Sequence, residues 1–198
     1  SLQNGMGNVE QLAALAPGRC VCGTTAMGAI LGEAHAAHWT GRGTTQLAPF
    51  GATPTAAAES ISALLTAADC ESQVLADAES MLWGKLIINA AINPVTAIHR
   101  ITNGELLENG ETREQAFMAA REAAAVATAL GITLPYDDVI AAVTRVCVKT
   151  AENRSSMLQD VEHDRRTEID AITGAIVAKA HDLGIPVPTN EQLLSAVK

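Results

Sequence analysis

The sequence predicts an α/β segment over residues 1–76 followed by an all-helical domain over residues 77–198. Three observations carry that reading. Short runs rich in Val, Thr and aromatic residues, split by Gly and Thr, occur only before Asp77. After that point apolar residues recur at helical spacing between Gly and Pro stops. Alanine-rich runs, with only 3% aromatic residues, point to closely packed helices rather than an extended sheet.

Taken in order, NVEQLAALAPG reads as a short helix with Val9, Leu12 and Leu15 on one side, closed by Pro17-Gly18. RCVCGTTAMGAIL, HAAHWTG and TTQLAPF read as short strands. TPTAAAESISALLTAADC is an amphipathic helix behind a Thr cap and a first-turn proline, and ESQVLAD is a last short strand. Strands with helices between them belong to the α/β class. Helices are then expected at 78–99, interrupted near Pro94, and at 112–130, 137–152, 156–183 and 190–197. Gly131 and Gly184 stand where a left-handed cap ends a helix, with Pro135 and Pro186 shortly behind them.

The bulk composition narrows the function. With 198 residues, 48% hydrophobic and 18% charged, the chain supports one or two small globular domains. A net charge of −9 without any basic run argues against generic nucleic-acid binding, which needs a cationic surface to displace counterions. No apolar run approaches the ~20 residues of a membrane span. The opening SLQNGMG lacks the features of a signal peptide, so a cytoplasmic protein without membrane partners is expected. Cys20 and Cys22 are too close for an ordinary disulfide and off the spacing of a zinc knuckle. Reduced, mostly buried thiols and no metal site are expected.

Polar residues in apolar surroundings are the functional signal. In WGKLIINAAINPVTA, Lys85, Asn89 and Asn93 recur at i, i+4 and i+8, which aligns them in one row of a helix that is otherwise apolar all round. On the expected helix 156–183, Glu168 falls inside the stripe Val161, Ile172, Ile176, Leu183. Ser155-Ser156 stands at the start of that helix, and Asn103-Gly104 is a turn pair. Each has an ordinary reading: a snorkelling lysine, an Asn93 that patches the kink at Pro94, a Glu168 paired with Arg165. Together they are the inventory for holding a small, polar, anionic molecule. The amino-terminal NGMGNVE imitates a dinucleotide-binding turn, but Glu10 occupies the place of the third glycine and would repel a pyrophosphate. It remains a tight loop able to bring Asn4 to a ligand.

The runs KLIINAAINPVTA, TNGELL, ENRSSMLQDVEHDRRTEIDAITGAIV and GIPVPTN, with NGMG and GTTAMGA, closely resemble the ketopantoate reductases (2-dehydropantoate 2-reductases) over essentially the whole chain. The resemblance implies NADPH-dependent reduction of 2-dehydropantoate, a small 2-oxo acid, to pantoate in pantothenate and coenzyme A synthesis. It also implies residues 1–76 as the carboxy-terminal part of a Rossmann-like NADP-binding domain and residues 77–198 as the helical substrate-binding and catalytic domain. By the same resemblance Lys85 is the catalytic proton donor. Asn4, Asn89, Asn93, Asn103 and Ser156 bind substrate, while Asn4, Ala29 and Glu168 contact the cofactor.

The departure lies at the phosphate end. The family's glycine-rich phosphate loop, and the basic residue that reads the 2′-phosphate, are not found in the sequence, so an incomplete form that is inactive alone is expected. Two other readings stand beside this one. One is a catalytically inert helical binding or assembly fragment, and the other a related 2-oxoacid or opine-type dehydrogenase. The reading leaves room for a homodimer.

Overall fold

A computed structural model describes residues 1–32 and 36–198. Its strands and helices, in chain order, are α1 (Asn8–Leu15), β1 (Cys20–Thr25), β2 (Gly28–Leu31), β3 (Ala37–Gly41), β4 (Thr45–Phe50), α2 (Thr55–Ala67) and β5 (Ser72–Val74). Then come α3 (Ala78–His99), α4 (Glu105–Glu108), α5 (Gly110–Ala129), α6 (Val139–Lys149), α7 (Ser156–Glu162), α8 (Ala175–Leu183) and α9 (Pro188–Val197). A wide π turn, Asp170–Gly174, leads directly into α8. The chain divides into two compact units, one of Ser1–Gln3 with Gly7–Leu82, the other of Asn4–Met6 with Trp83–Lys198. The expected α/β beginning and helical remainder are both present.

In the first unit, β1 pairs antiparallel with β4, and β4 pairs parallel with β5, giving the order β1-β4-β5. β2 and β3 form a separate antiparallel hairpin. His35, which opens the expected strand HAAHWTG, lies outside the described residues. The core here is small: Val9, Cys20, Cys22, Leu47, Ala48 and Ala58 are buried. The expected apolar side of α1 does not close, since Leu15 is 84% exposed and only Val9 is buried. The expected Thr cap of α2 is also absent. Pro54 holds the cap position, and the Thr53 hydroxyl accepts the Cys20 N–H at 2.9 Å, a ladder-edge donor that would otherwise be buried unpaired.

The second unit is built around α3, which the expected break at Pro94 does not interrupt. Proline removes one ladder bond, but Ile87, Ala90, Ala91 and Val95 are fully buried and packing holds the helix on course. By length and hydropathy α3 also resembles a membrane span, which no run of the sequence was expected to do. Yet 78% of its apolar window is buried inside the protein, as in a core helix. α5 begins at Gly110 because the Asn109 side chain accepts the Glu111 N–H, and α6 begins at Val139 because Asp138 accepts from Ile140 and Ala141. Gly131 and Gly184 have φ of 76° and 68°, the left-handed caps expected of them. α4 was not expected.

The expected helix 156–183 is two pieces. α7 stops at Glu162, Asp164 turns left-handed at φ 52°, and the chain re-enters a helix through the π turn. Glu168 therefore precedes the helix rather than lying within an apolar stripe. Ile172 and Ile176 are buried, whereas Leu183, the expected end of that stripe, is exposed.

Candidate functional site

Lys85, Asn89 and Asn93 lie on α3 as one row that runs inward, with Lys85 and Asn89 half-buried and Asn93 buried. Burial holds the Lys85 ammonium below the usual lysine range, and the Glu168 carboxylate pulls it back up. Among the described residues no hydrogen bond takes up the side-chain amide of Asn89 or Asn93, so Asn93 does not patch the step at Pro94. The hydroxyl of Thr96 reaches that region instead, 2.9 Å from the Ile92 carbonyl and 3.0 Å from the Asn93 carbonyl.

Asn4 comes to the same place from the other end of the chain. Its side-chain amide donates to the Glu168 carboxylate at 2.9 Å. The loop is held there by backbone: Met6 N–H donates to the Ala171 carbonyl of the π turn at 2.8 Å. Gly5, at φ 80°, lies so close that a Cβ would meet that carbonyl oxygen at 2.5 Å. Only glycine satisfies both the backbone conformation and the approach. Single-turn π segments recur at functional sites, and this one seats the loop that delivers Asn4. Lys85, Glu168 and Asn4 are thus brought together. The partner foreseen for Glu168, Arg165, is not recorded with it among the described residues.

Asn103 and Ser156 are reached through a second set of bonds. Asn103 donates its amide to the Thr150 hydroxyl at 2.9 Å and its backbone N–H to the Asn153 carbonyl at 3.0 Å. Its Oδ1 is buried without a partner among the described residues. That leaves one acceptor for an incoming donor, at the cost of desolvation in its absence. Ser156 opens α7 with its side chain exposed, while Ser155 is buried and caps the helix by accepting the Leu158 N–H at 3.1 Å. Ala29 belongs to the first unit, exposed in β2 opposite Trp39.

Thr96, Tyr136 and Gly84, which were not singled out from sequence, also shape this region, together with Ser155. Thr96 and Ser155 place their hydroxyl oxygens 2.7 Å apart. Tyr136 donates its hydroxyl to the Gly84 carbonyl at 3.0 Å, one residue before Lys85, and burial pushes its phenol up to about 12. Gly84 itself admits Pro135, whose ring would lie 2.5 Å from an added Cβ. A glycine inside an apolar helix was the available signal for that close approach.

The site offers an ammonium, several neutral amides, hydroxyls and one carboxylate, a set suited to a small hydroxy or oxo acid. For a dinucleotide the fit is partial. Glu168 and Asn4 suit the hydroxyl groups of a sugar, but the Gly7 N–H that would face a phosphate donates to Glu10 at 3.0 Å. The cysteines take no part: Cys20, Cys22 and Cys147 are buried, Cys70 half-buried, all four are free, and burial pushes Cys22 and Cys147 up to about 11.

The family model described as ketopantoate reductase PanE/ApbA C terminal matches residues 77–198, and the model ketopantoate reductase PanE/ApbA matches residues 1–52. A 2-dehydropantoate 2-reductase of Archaeoglobus fulgidus is 38% identical over 198 residues, all of this chain and 66% of that protein. The crystal structure of a PanE/ApbA family ketopantoate reductase from Ralstonia eutropha JMP134 superimposes with a TM-score of 0.89 at 31% identity, covering 100% of this chain and 64% of that one. D-mandelate dehydrogenase, in a ternary structure with NADH and anilino(oxo)acetate, gives 0.90 at 26% identity, covering 99% of this chain and 65% of that one. The chain thus spans just under two thirds of the length of the curated relatives it matches, 66% and 65% for the first two.

Proposed function

The chain belongs to the ketopantoate reductase family, and from that premise we propose that it carries the substrate-binding and proton-donating part of an NADPH-dependent 2-dehydropantoate 2-reductase. One observation supports the reading above the others. A half-buried lysine, held below its usual range by burial, stands with Glu168 and Asn4 at the end of a row of amides that have no hydrogen-bond partner among the described residues.

In this reading residues 77–198 form the substrate domain and the first 76 residues contribute to the nicotinamide domain. A reduced nicotinamide cofactor, when bound, supplies a hydride to the ketone carbon. The ketone oxygen then gains negative charge, and Lys85 stabilises that charge and donates its proton, leaving a hydroxyl on the product and a neutral amine to be reprotonated from solvent. Asn89, Asn93 and Asn103 orient the acid with neutral donors and acceptors, and Ser156 offers its exposed hydroxyl to the carboxylate end. Asn4 and Glu168 address the sugar next to the nicotinamide, with Ala29 contributing backbone.

The likeness to D-mandelate dehydrogenase favours a second reading, a reductase of another 2-oxo acid using NADH. Both are separated by titrating pantoate and D-mandelate into the protein and following the Lys85 ammonium and the Asn89 and Asn93 side-chain amides by NMR. Pantoate is expected to move all three sets of resonances and to bind more tightly than mandelate. Asn89→Ala and Asn93→Ala should each weaken pantoate about 2- to 12-fold, the equivalent of one hydrogen bond. Absence of any response to either acid sinks both readings.

A further inference from the structure

We propose that Thr96 and Ser155 are positioning residues, a buried pair that fixes the first turn of α7, and with it Ser156, to the amide row of α3. Thr96 is fully buried and Ser155 nearly so. Their hydroxyl oxygens lie 2.7 Å apart. Beyond Thr96 are the carbonyls of Ile92 and Asn93, at 2.9 and 3.0 Å, and beyond Ser155 is the Leu158 N–H, which Ser155 accepts at 3.1 Å.

Each hydroxyl has one proton and two lone pairs, so the groups form one chain of hydrogen bonds. The Ser155 oxygen accepts both the Leu158 N–H of α7 and the Thr96 hydroxyl of α3, whose single proton also has the Ile92 and Asn93 carbonyls within reach. Such chains polarise one another, and breaking one link leaves the remaining buried groups unpaired. The placement gives the pair its role. Asn93 carries one of the carbonyls within reach of Thr96, and Ser156 is covalently next to Ser155. The turn at Asn103 is tied to the same loop through Asn153 and Thr150. Three of the residues read as substrate contacts are therefore held by bonds from residues that do not face the substrate. Among the described residues, the Thr96–Ser155 bond is the side-chain hydrogen bond that joins α3 to α7.

The inference rests on the proposed function only for its consequence on binding. Its test has two readouts on the whole chain, in wild type, Thr96→Val and Thr96→Ser. The first is hydrogen exchange of the Leu158 amide without ligand. Thr96→Val, which keeps the shape and loses the hydroxyl, should speed exchange at Leu158 at least ~10-fold relative to amides of α5, and Thr96→Ser should restore protection. The second is pantoate affinity, expected to fall ~5-fold or more in Thr96→Val and to return within ~2-fold in Thr96→Ser. Should Thr96→Val fail to fold, Thr96→Ala, which also removes the hydroxyl, gives the same comparison. Unchanged Leu158 exchange in the hydroxyl-free variant overturns the pair. Faster exchange in a protein that never binds pantoate upholds the pair and rejects the proposed substrate. Faster exchange with pantoate affinity unchanged overturns its positioning role.

Discussion

In the proposed reaction Lys85 keeps a proton available for transfer while standing half-buried. Unfolded, the side chain titrates near 10.5, and burial in the folded state lowers that value. Between the two values the unfolded chain still holds the proton and the folded one has lost it. Stability contributed by this group therefore rises with pH across that window and is least below it. Lys85→Met should accordingly melt at a higher temperature than wild type at neutral pH, with the difference shrinking as pH climbs towards 10.5. Thermal melts across that range check the sign. A variant that melts lower at neutral pH would show that the ammonium's bonds outweigh its burial.

Among the elements, α9 depends on a carboxylate that the sequence did not advertise. Glu122, on α5, is buried and accepts the backbone N–H groups of Thr189 and Asn190 and the side-chain amide of Asn190, all within 3.0 Å. It closes the amino end of α9 from another helix, where Val187 holds the cap position and offers no side-chain acceptor. Glu122→Ala leaves those donors buried and unpaired and should cost roughly 3–5 kcal/mol, read from urea unfolding, whereas Glu122→Gln keeps part of the network and should cost less. Gly84→Ala offers a second test. Alanine ordinarily favours a helix interior by about 1 kcal/mol, but here its Cβ would strike Pro135, so the substitution should destabilise and displace Tyr136. A raised melting temperature would refute the close packing.

Most elements were legible because their signals are local. The Gly131 and Gly184 stops, the strand runs and the row Lys85-Asn89-Asn93 all depend on residues within a few positions of one another. What escaped depends on contacts distant in sequence: Glu122 on α9, Thr96 on Ser155, Met6 on Ala171. The stripe that seemed to bury Glu168 failed for the same reason. Its periodicity was counted through His163 and Asp164, where the chain leaves the helix.

For the molecule as a whole, the site's two expected ligands should behave differently. The residues suited to the acid lie within the helical unit, whereas the 198 residues hold no glycine-rich turn for a pyrophosphate, and Gly7 is already bonded to Glu10. A charge of −9 further opposes a polyanion, although the local field matters more than the total. Calorimetry should find NADPH bound more weakly than micromolar and pantoate bound to the same extent with or without it. Micromolar NADPH binding would reveal a grip on the phosphates other than such a turn.

The π turn at Asp170–Gly174 has a consequence in phase. A turn of this kind carries one residue more than an α-turn, and each residue advances a helix by about 100°. The bearing at which Glu168 stands just before the helix is therefore uncoupled from the face that Ile176 and Val177 press into the core. A turn one residue shorter would let those two keep their seats and swing the carboxylate about a quarter of a circle away from Asn4. The helix acts as a vernier, its surplus residue setting the bearing of one acid without disturbing the packing below it.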